Sequence, residues 1–211
     1  YSVPDHIVRV DYLRSKWEDT QALSYLIDDT IRKELKTIEV QGRDIMYREL
    51  VLEYVRKCLQ RDIEYLGKRG AGHFRILKLE EWGEASIDGF TFHGVIDRMD
   101  SVSDGEVRIV DYKTGMVNKD TLPGIDLQMY IYDRFLDKDR DYCGVQVVNS
   151  IYSPSGLFVS EVEDKPVDEC FKNSVGQKLE ADLAELADPE VPFVRKTQAC
   201  KYCDFKTLCG K

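Results

Sequence analysis

The sequence has no apolar run approaching the roughly 20 residues that a bilayer-spanning helix needs. Its first residues, Tyr-Ser-Val-Pro-Asp-His, lack the basic and apolar regions of a secretory leader, which points to a cytoplasmic protein with no membrane partner. They also lack an initiating Met, from which we expect a chain excised from something longer. An excess of positive charge is missing too: 30 Lys and Arg face 39 Asp and Glu, a formal net charge of −9. A free-standing non-specific DNA binder usually presents a basic face, because phosphate neutralisation supplies its affinity. Nucleic-acid affinity here has to come from a local patch, a metal or partner domains. Histidine is scarce, with only His6, His73 and His93. Repeats and low-complexity linkers are absent. With 43% hydrophobic and 33% charged residues, the composition is that of a globular chain and excludes a disordered one.

Cysteine is present in force: Cys58, Cys143, Cys170, Cys200, Cys203 and Cys209. Without a secretory leader, metal binding is the expected use rather than a disulfide framework. The tail, "CKYCDFKTLCG", spaces three of them as Cys-x2-Cys-x5-Cys, a density that suits a soft-metal site of iron and sulfur or of zinc.

Apolar periodicity predicts a helix over 13–36, with Leu23, Leu26, Ile27, Ile31 and Leu35 on one face, and a second over 43–67. The period then changes to two. "FRILKLEEW" (74–82), "FTFHGVID" (90–97) and "VRIVDYK" (107–113) read as three strands joined by turns at Gly83 with Asp88-Gly89, and at Asp104-Gly105. A helix follows over 122–136, with Leu127, Tyr130, Ile131 and Leu136 toward the core. Then come a strand over 143–153, a hairpin partner over 157–163 and a helix over 166–187. The order is helix, three strands, helix, strand, which argues for an α/β class with helices packed on a sheet. We expect a helical portion over 1–72, a core over 73–165, and a C-terminal helix and cysteine tail over 166–211.

Two of these strands carry acids where a buried strand should carry none. Side chains alternate along a strand, so Asp111 and Lys113 share one face with Tyr112 on the other, and Val95 shares a face with Asp97. If the two strands are neighbours, Asp97 and Asp111 converge with Lys113 beside them. Two carboxylates in a partly dry site repel unless a divalent cation compensates, and hard oxygen ligands favour Mg²⁺ or Mn²⁺. The blander alternative has each acid capping a strand end, paired with Arg98 and Lys113.

"GVIDRMD" followed by "VRIVDYKTG" resembles the RecB-type branch of the PD-(D/E)XK nuclease superfamily. The resemblance implies a restriction-endonuclease-like core and metal-dependent cleavage of DNA, with Asp97 and Asp111 as metal ligands and Lys113 as the catalytic amine. The Tyr112 carbonyl could join the metal. On the preceding strand, Glu80 (with Glu81 as its rival) would supply a further acid. Gln128 and Tyr132 match the family's Gln-x-x-x-Tyr helix and would contact DNA. The metal-binding His that family members usually carry upstream has no counterpart: His6 lacks the Gly that precedes it, and His73 and His93 lie on or at strands. The cysteine tail resembles the last three cysteines of AddB-type iron–sulfur nucleases, implying a 4Fe–4S cluster. The family's fourth cysteine lies far upstream, where this sequence has none; Cys58, Cys143 and Cys170, read as a buried helical thiol, a strand opener and a core-facing helical thiol, could each complete the site, and none is singled out. A helicase-like domain or subunit of a repair complex is the implied partner. The alternative is a degenerate nuclease fold that binds DNA ends or scaffolds such a complex.

Overall fold

The computed structural model describes residues 4–36, 39–113, 115, 117, 122–137, 140–142, 144–153, 164–192, 207 and 208. Strand β1 (Ile7–Arg9) is followed by helices α1 (Val10–Glu18), α2 (Thr20–Leu35) and α3 (Arg43–Lys68). Strands β2 (His73–Ile87), β3 (Phe90–Ser103) and β4 (Glu106–Tyr112) come next, then α4 (Leu122–Leu136), a 3₁₀ turn (Arg140–Tyr142), β5 (Gln146–Tyr152), β6 (Lys165–Pro166) and α5 (Glu169–Ala187). The expected order of helix, three strands, helix and strand is present as α3–β2–β3–β4–α4–β5.

All six strands form one sheet in the order β1-β2-β3-β4-β5-β6. The pairing is antiparallel except between β4 and β5, which run parallel with α4 as their crossover. The β2–β3 hairpin closes on Asp88-Gly89, both at positive φ, the turn that suits the right-handed strand twist. The short edge strands β1 and β6 offer little free ladder to a stranger.

Each face of the sheet carries its own core. On one side Phe74, Ile76 and Val8 pack with Leu13, Leu23, Ile27, Leu52, Leu59 and Leu66 of α1–α3. On the other, Ile96, Met99, Val107 and Ile109 pack with Ile125, Met129, Tyr132, Phe135 and Leu136 of α4. Helix α5 docks on α4, with Tyr130 against Gly176 and Lys172 paired at 3.0 Å to the buried Asp133.

Several features differ from the sequence reading. Gly83, read as part of a turn, lies inside β2, paired with Gly94. The helix expected over 13–36 is two helices, because the Asp19 side chain accepts from the Ala22 N–H at 2.9 Å and caps a fresh N-terminus. The N-terminal portion is not purely helical, since Ile7–Arg9 adds an edge strand to β2. In α4 the face against the sheet is Ile125, Met129, Tyr132 and Leu136, while Leu127, Tyr130 and Ile131 are half-buried. Cys170 is exposed rather than core-facing, because the buried stripe of α5 runs through Gly176, Leu179 and Leu183. Cys58 is half-buried on α3, and burial pushes its thiol up to about 12, so it stays protonated. Cys143, the hairpin over 157–163, and Cys200, Cys203 and Cys209 lie outside the described residues.

Candidate active site

Strand β4 is regular, and its parity is as expected. Val107 and Ile109 point into the α4-side core, and Asp111 follows them to meet Gln128 of α4. Strand β3 is not regular. Ile96 and Met99, three residues apart, both pack on the α4 side, while Arg98 turns toward α3. The slip falls at Asp97. Across from it, the β2–β3 register runs Leu79↔Arg98 and then Glu81↔Ile96, and the intervening Glu80 sits at φ 49°. A glutamate in the left-handed region is strained, and such strain concentrates at functional sites. Strict alternation along β3 therefore fails at the acid that matters most.

The irregularity re-aims Asp97. Its Oδ2 accepts from the Tyr112 backbone N–H at 2.7 Å, so the carboxylate is tied to the end of β4. The β3–β4 register, Arg98↔Val110 and Met99↔Ile109, leads to Asp97 opposite Asp111. The two charges sense each other. Burial raises the Asp111 pKa, Lys113 opposes the rise, and the Asp97 charge adds to it.

Around Asp111 the polar groups form a chain. Lys113 Nζ lies 2.7 Å from Asp111 Oδ2 and donates to Gln128 Oε1 at 2.6 Å. Gln128 Nε2 donates to Asp111 Oδ1 at 3.2 Å and to the Tyr132 hydroxyl at 2.6 Å. Tyr132 donates to the Val95 carbonyl at 2.6 Å. The Lys113 backbone N–H is fixed by the Tyr152 carbonyl at 2.9 Å. Tyr132 is buried, and burial first, then the Asp111 and Asp97 charges, raise its pKa against the Gln128 hydrogen bond. Its ring lies over Gly94, where an added Cβ would come within 3.1 Å of it, which gives the glycine of "GVID" a packing role.

Asp97, Asp111, Lys113, Gln128, Tyr132 and the Tyr112 backbone are thus brought together. Glu80 is exposed on the strand beside them. Glu81 is engaged elsewhere, 2.7 Å from Lys78. His73 and His93 are both exposed, and His93 lies 3.5 Å from Glu84. Among the described residues no three His, Cys, Asp or Glu side chains form a group that could hold a metal. The side chains here that could hold a cation are the Asp97 and Asp111 carboxylates, hard oxygen donors that suit Mg²⁺ or Mn²⁺ better than a softer metal. One observation fits that ion: the two carboxylates face each other with a single ammonium beside them, Lys113 at 2.7 Å from Asp111 Oδ2.

Sequence reasoning missed what lies on the opposite face of the same strands. Arg98 does not pair with Asp97. Its guanidinium binds Asp62 of α3 at 2.7 and 3.1 Å and Asp100 at 2.9 Å, and it donates to the Tyr112 hydroxyl at 2.7 Å. Arg108 joins Asp100 at 2.8 Å and Asp62 at 2.9 Å, and Tyr152 donates to Asp62 at 2.7 Å. All four charged groups are at most 1% exposed. A signal for one of them was present in the sequence: Arg108 stands between Val107 and Ile109 in an otherwise apolar strand.

Among proteins of curated function, none matches this sequence. Two solved structures align over most of the chain. One is a candidate exonuclease from Eubacterium rectale, at 11% identity and a TM-score of 0.44, covering 88% of this chain and 79% of its own. The other is the protein SSO0001, at 17% identity and a TM-score of 0.33, covering 93% of each. Among the described residues no helix is long and apolar enough to cross a membrane. The family comparison reaches nearly the whole chain. Residues 6–210 match the PD-(D/E)XK nuclease superfamily, and the chain belongs to that superfamily.

Proposed function

We propose that the chain is a metal-dependent deoxyribonuclease that hydrolyses DNA phosphodiester bonds, acting as an exonuclease. The observation that carries the reading is the Asp97–Asp111–Lys113–Gln128 constellation at the point where β3 parts from β4. Asp97, Asp111 and the Tyr112 carbonyl would hold Mg²⁺ or Mn²⁺, with Glu80 as a further acid on the neighbouring strand. A bound cation supplies Lewis-acid charge at the phosphodiester and lowers the pKa of the attacking water. Lys113, held beside the acids by Gln128 Oε1, offers its amine to the charge that develops on the phosphate oxygens. Gln128 orients both Lys113 and Asp111. Tyr132, buried beneath it, fixes the amide, so contact with DNA falls to Gln128 rather than to the phenol.

The experiment is cleavage of end-labelled DNA with Mg²⁺ or Mn²⁺ and with EDTA. Activity should require the cation and disappear in Lys113→Ala and Asp111→Asn. Undiminished cleavage by both variants would overturn the assignment.

Within the superfamily we assign the chain to the RecB and AddB type, on the strength of "GVIDRMD", "VRIVDYKTG" and the Cys-x2-Cys-x5-Cys tail. It would be the C-terminal part of a longer protein working in recombination and repair beside a helicase-like partner. In that protein Cys200, Cys203 and Cys209 would bind a 4Fe–4S cluster or zinc. Iron analysis of the longer chain purified without oxygen, with and without Cys203→Ala, tests this, and absence of iron removes the cluster. A second reading, a degenerate module that binds DNA ends, draws on the lack of a third ligating side chain among the described residues. It expects DNA binding that no cation converts into cleavage.

A further inference from the structure

The outer edge of β2 is only partly covered. Strand β1 pairs with it over His73–Arg75, and the last backbone bonds on that side join Ile76 to Asp5 and His6. From Leu77 to Ile87 no strand among the described residues lies outside it.

The hairpin geometry says which backbone groups are left over. In an antiparallel pair, residues that exchange N–H···O bonds alternate with residues whose N–H and C=O point away. A two-residue turn makes its flanking residues an exchanging pair, here Ile87 and Phe90 around Asp88-Gly89. The register then runs unbroken back to Glu81↔Ile96. Glu81, Gly83, Ala85 and Ile87 are therefore bonded to β3. Trp82, Glu84 and Ser86 turn their amides and carbonyls outward.

Sheets protect a bare edge with bulges and with charge. The break at Glu80 lies before this stretch and leaves it intact. The charge is mostly of one sign. Glu80, Glu81 and Glu84 stand against Lys78, which is paired at 2.7 Å with Glu81. A second copy pairing here would bring the same glutamates together, which like charges on neighbouring strands oppose. A strand carrying lysine or arginine is favoured instead.

Protection of the edge does not explain the two faces beside it. Ala85 packs in the α4-side core, so alternation puts Trp82 and Glu84 on the other face. There Trp82 stacks on His93 of β3 and is still 61% exposed. On the α4 side a cavity of about 460 Å³ is walled by Ile96, Met99, Phe135, Leu136 and Tyr142. Trp82 and Glu84 line this cavity too, although their side chains point the other way, so it reaches the backbone of the edge. One bare ladder thus has an apolar recess on one face, and an indole and a carboxylate on the other. Strand addition uses such an arrangement: main-chain bonds give affinity, and recesses for alternate side chains give specificity.

We propose that the outer edge of β2 from Glu81 to Ile87 is a docking site for an extended segment of a partner protein, basic on one face and apolar on the other. The segment adds as a strand beside Trp82, Glu84 and Ser86. An apolar side chain enters the cavity, and basic side chains lie along the indole and the Glu84 carboxylate. The site is separate from the chemistry at Asp97 and Asp111.

The full chain is tested with a capped heptapeptide, Lys-Val-Lys-Leu-Lys-Val-Lys. Two controls are the same peptide N-methylated throughout, which keeps the charge but cannot donate, and a version with Glu for every Lys. In the free chain, amide exchange should be fast at Trp82, Glu84 and Ser86 and slow at Gly83 and Ala85. The lysine peptide should bind and protect the three fast amides, and neither control should. Ser86→Pro removes one outward donor, spares the bonds to β3 and should weaken the lysine peptide several-fold. Glu84→Lys should do the same through charge, and this surface change keeps the test valid if the proline variant fails to fold. Protection of the three amides without peptide overturns the proposal: at all protein concentrations it means that the chain covers its own edge, and when it grows with concentration the occupant is a second copy. Equal binding of the N-methylated peptide reduces the effect to attraction by a chain of net charge −9, and also overturns it. So does failure of the lysine peptide to bind.

Discussion

The same two strands carry charge on both faces, and the two sets are built differently. Facing α3, Arg98, Arg108, Asp62 and Asp100 are two cations and two anions, net zero, and all are buried. Asp62 alone receives Arg98 twice, Arg108 and Tyr152. Facing α4, Asp97, Asp111 and Lys113 sum to −1, and Asp111 Oδ2 is left with only an ion pair. A buried network costs least when it is neutral and fully hydrogen-bonded. In both sets a buried atom is met by one ion-pair contact, Arg98 Nε 2.9 Å from Asp100 and Asp111 Oδ2 2.7 Å from Lys113, so the difference lies in charge: the α3 side is neutral, and the α4 side is short of the positive charge that a cation would bring.

The largest effect should come from opening the closed network. Asp62→Ala leaves two buried guanidiniums to share the one carboxylate of Asp100, and we expect a loss of about 3–5 kcal/mol in chemical denaturation. A loss below about 1 kcal/mol would mean that water already enters the network and that the contrast between the faces is false.

Removing charge from the open side should strike function instead. Lys113→Ala takes away an amine that is a quarter exposed. The denaturation midpoint should barely move, while cleavage falls by roughly 10²–10³. A variant that unfolds readily yet still cleaves would place Lys113 among the structural groups.

The division between the faces was only partly legible in the sequence. Period-two patterning and the turns at Asp88-Gly89 and Asp104-Gly105 revealed the three central strands, and parity along β4 put Asp111 and Lys113 together. Parity along β3 misled, because a left-handed Glu80 shifts the strand at Asp97, and a non-glycine residue gives no local sign of positive φ. The split at Asp19 was hidden because the apolar spacing continues through it. The partnership of Asp62 with Arg98 and Arg108 spans 36 and 46 residues, and local pattern carries no information over that distance.

Tyr112 joins the two regions, so altering it tests whether they are independent. Its hydroxyl accepts from Arg98 in the closed network, while its backbone N–H holds Asp97 in the open site. Tyr112→Phe removes one hydrogen bond to a charged donor and should lower stability by about 1.5–2 kcal/mol. The backbone bond to Asp97 survives the change. If the network only supports the strand, cleavage at saturating Mg²⁺ should fall by no more than a few-fold, about 1 kcal/mol in the barrier. A loss as deep as that of Lys113→Ala would show that the closed network sets the position of the acids.

The smallest effect should have the opposite sign. Burial, with a further push from Asp97, raises the folded-state pKa of Asp111 above its ordinary 3.8. For an acid the consequence is fixed: the group's contribution is favourable below the unfolded pKa and is lost as pH rises through the higher folded value. At neutral pH an ionised Asp111 therefore weakens the fold. Asp111→Asn removes that charge and should raise the Tm of the apo protein at neutral pH. Near pH 3.5 much of the carboxyl is already protonated, and most of the gain should vanish. Melting curves of the wild type and Asp111→Asn in EDTA at pH 3.5 and 7.5 measure both points. A variant less stable than the wild type at pH 7.5 would mean that the Lys113 pair outweighs burial and that Asp111 belongs with the closed face. Mg²⁺ then completes the test. A ligand that binds only the folded state raises its stability, so the cation should raise the wild-type Tm more than that of the variant, which has lost the carboxylate.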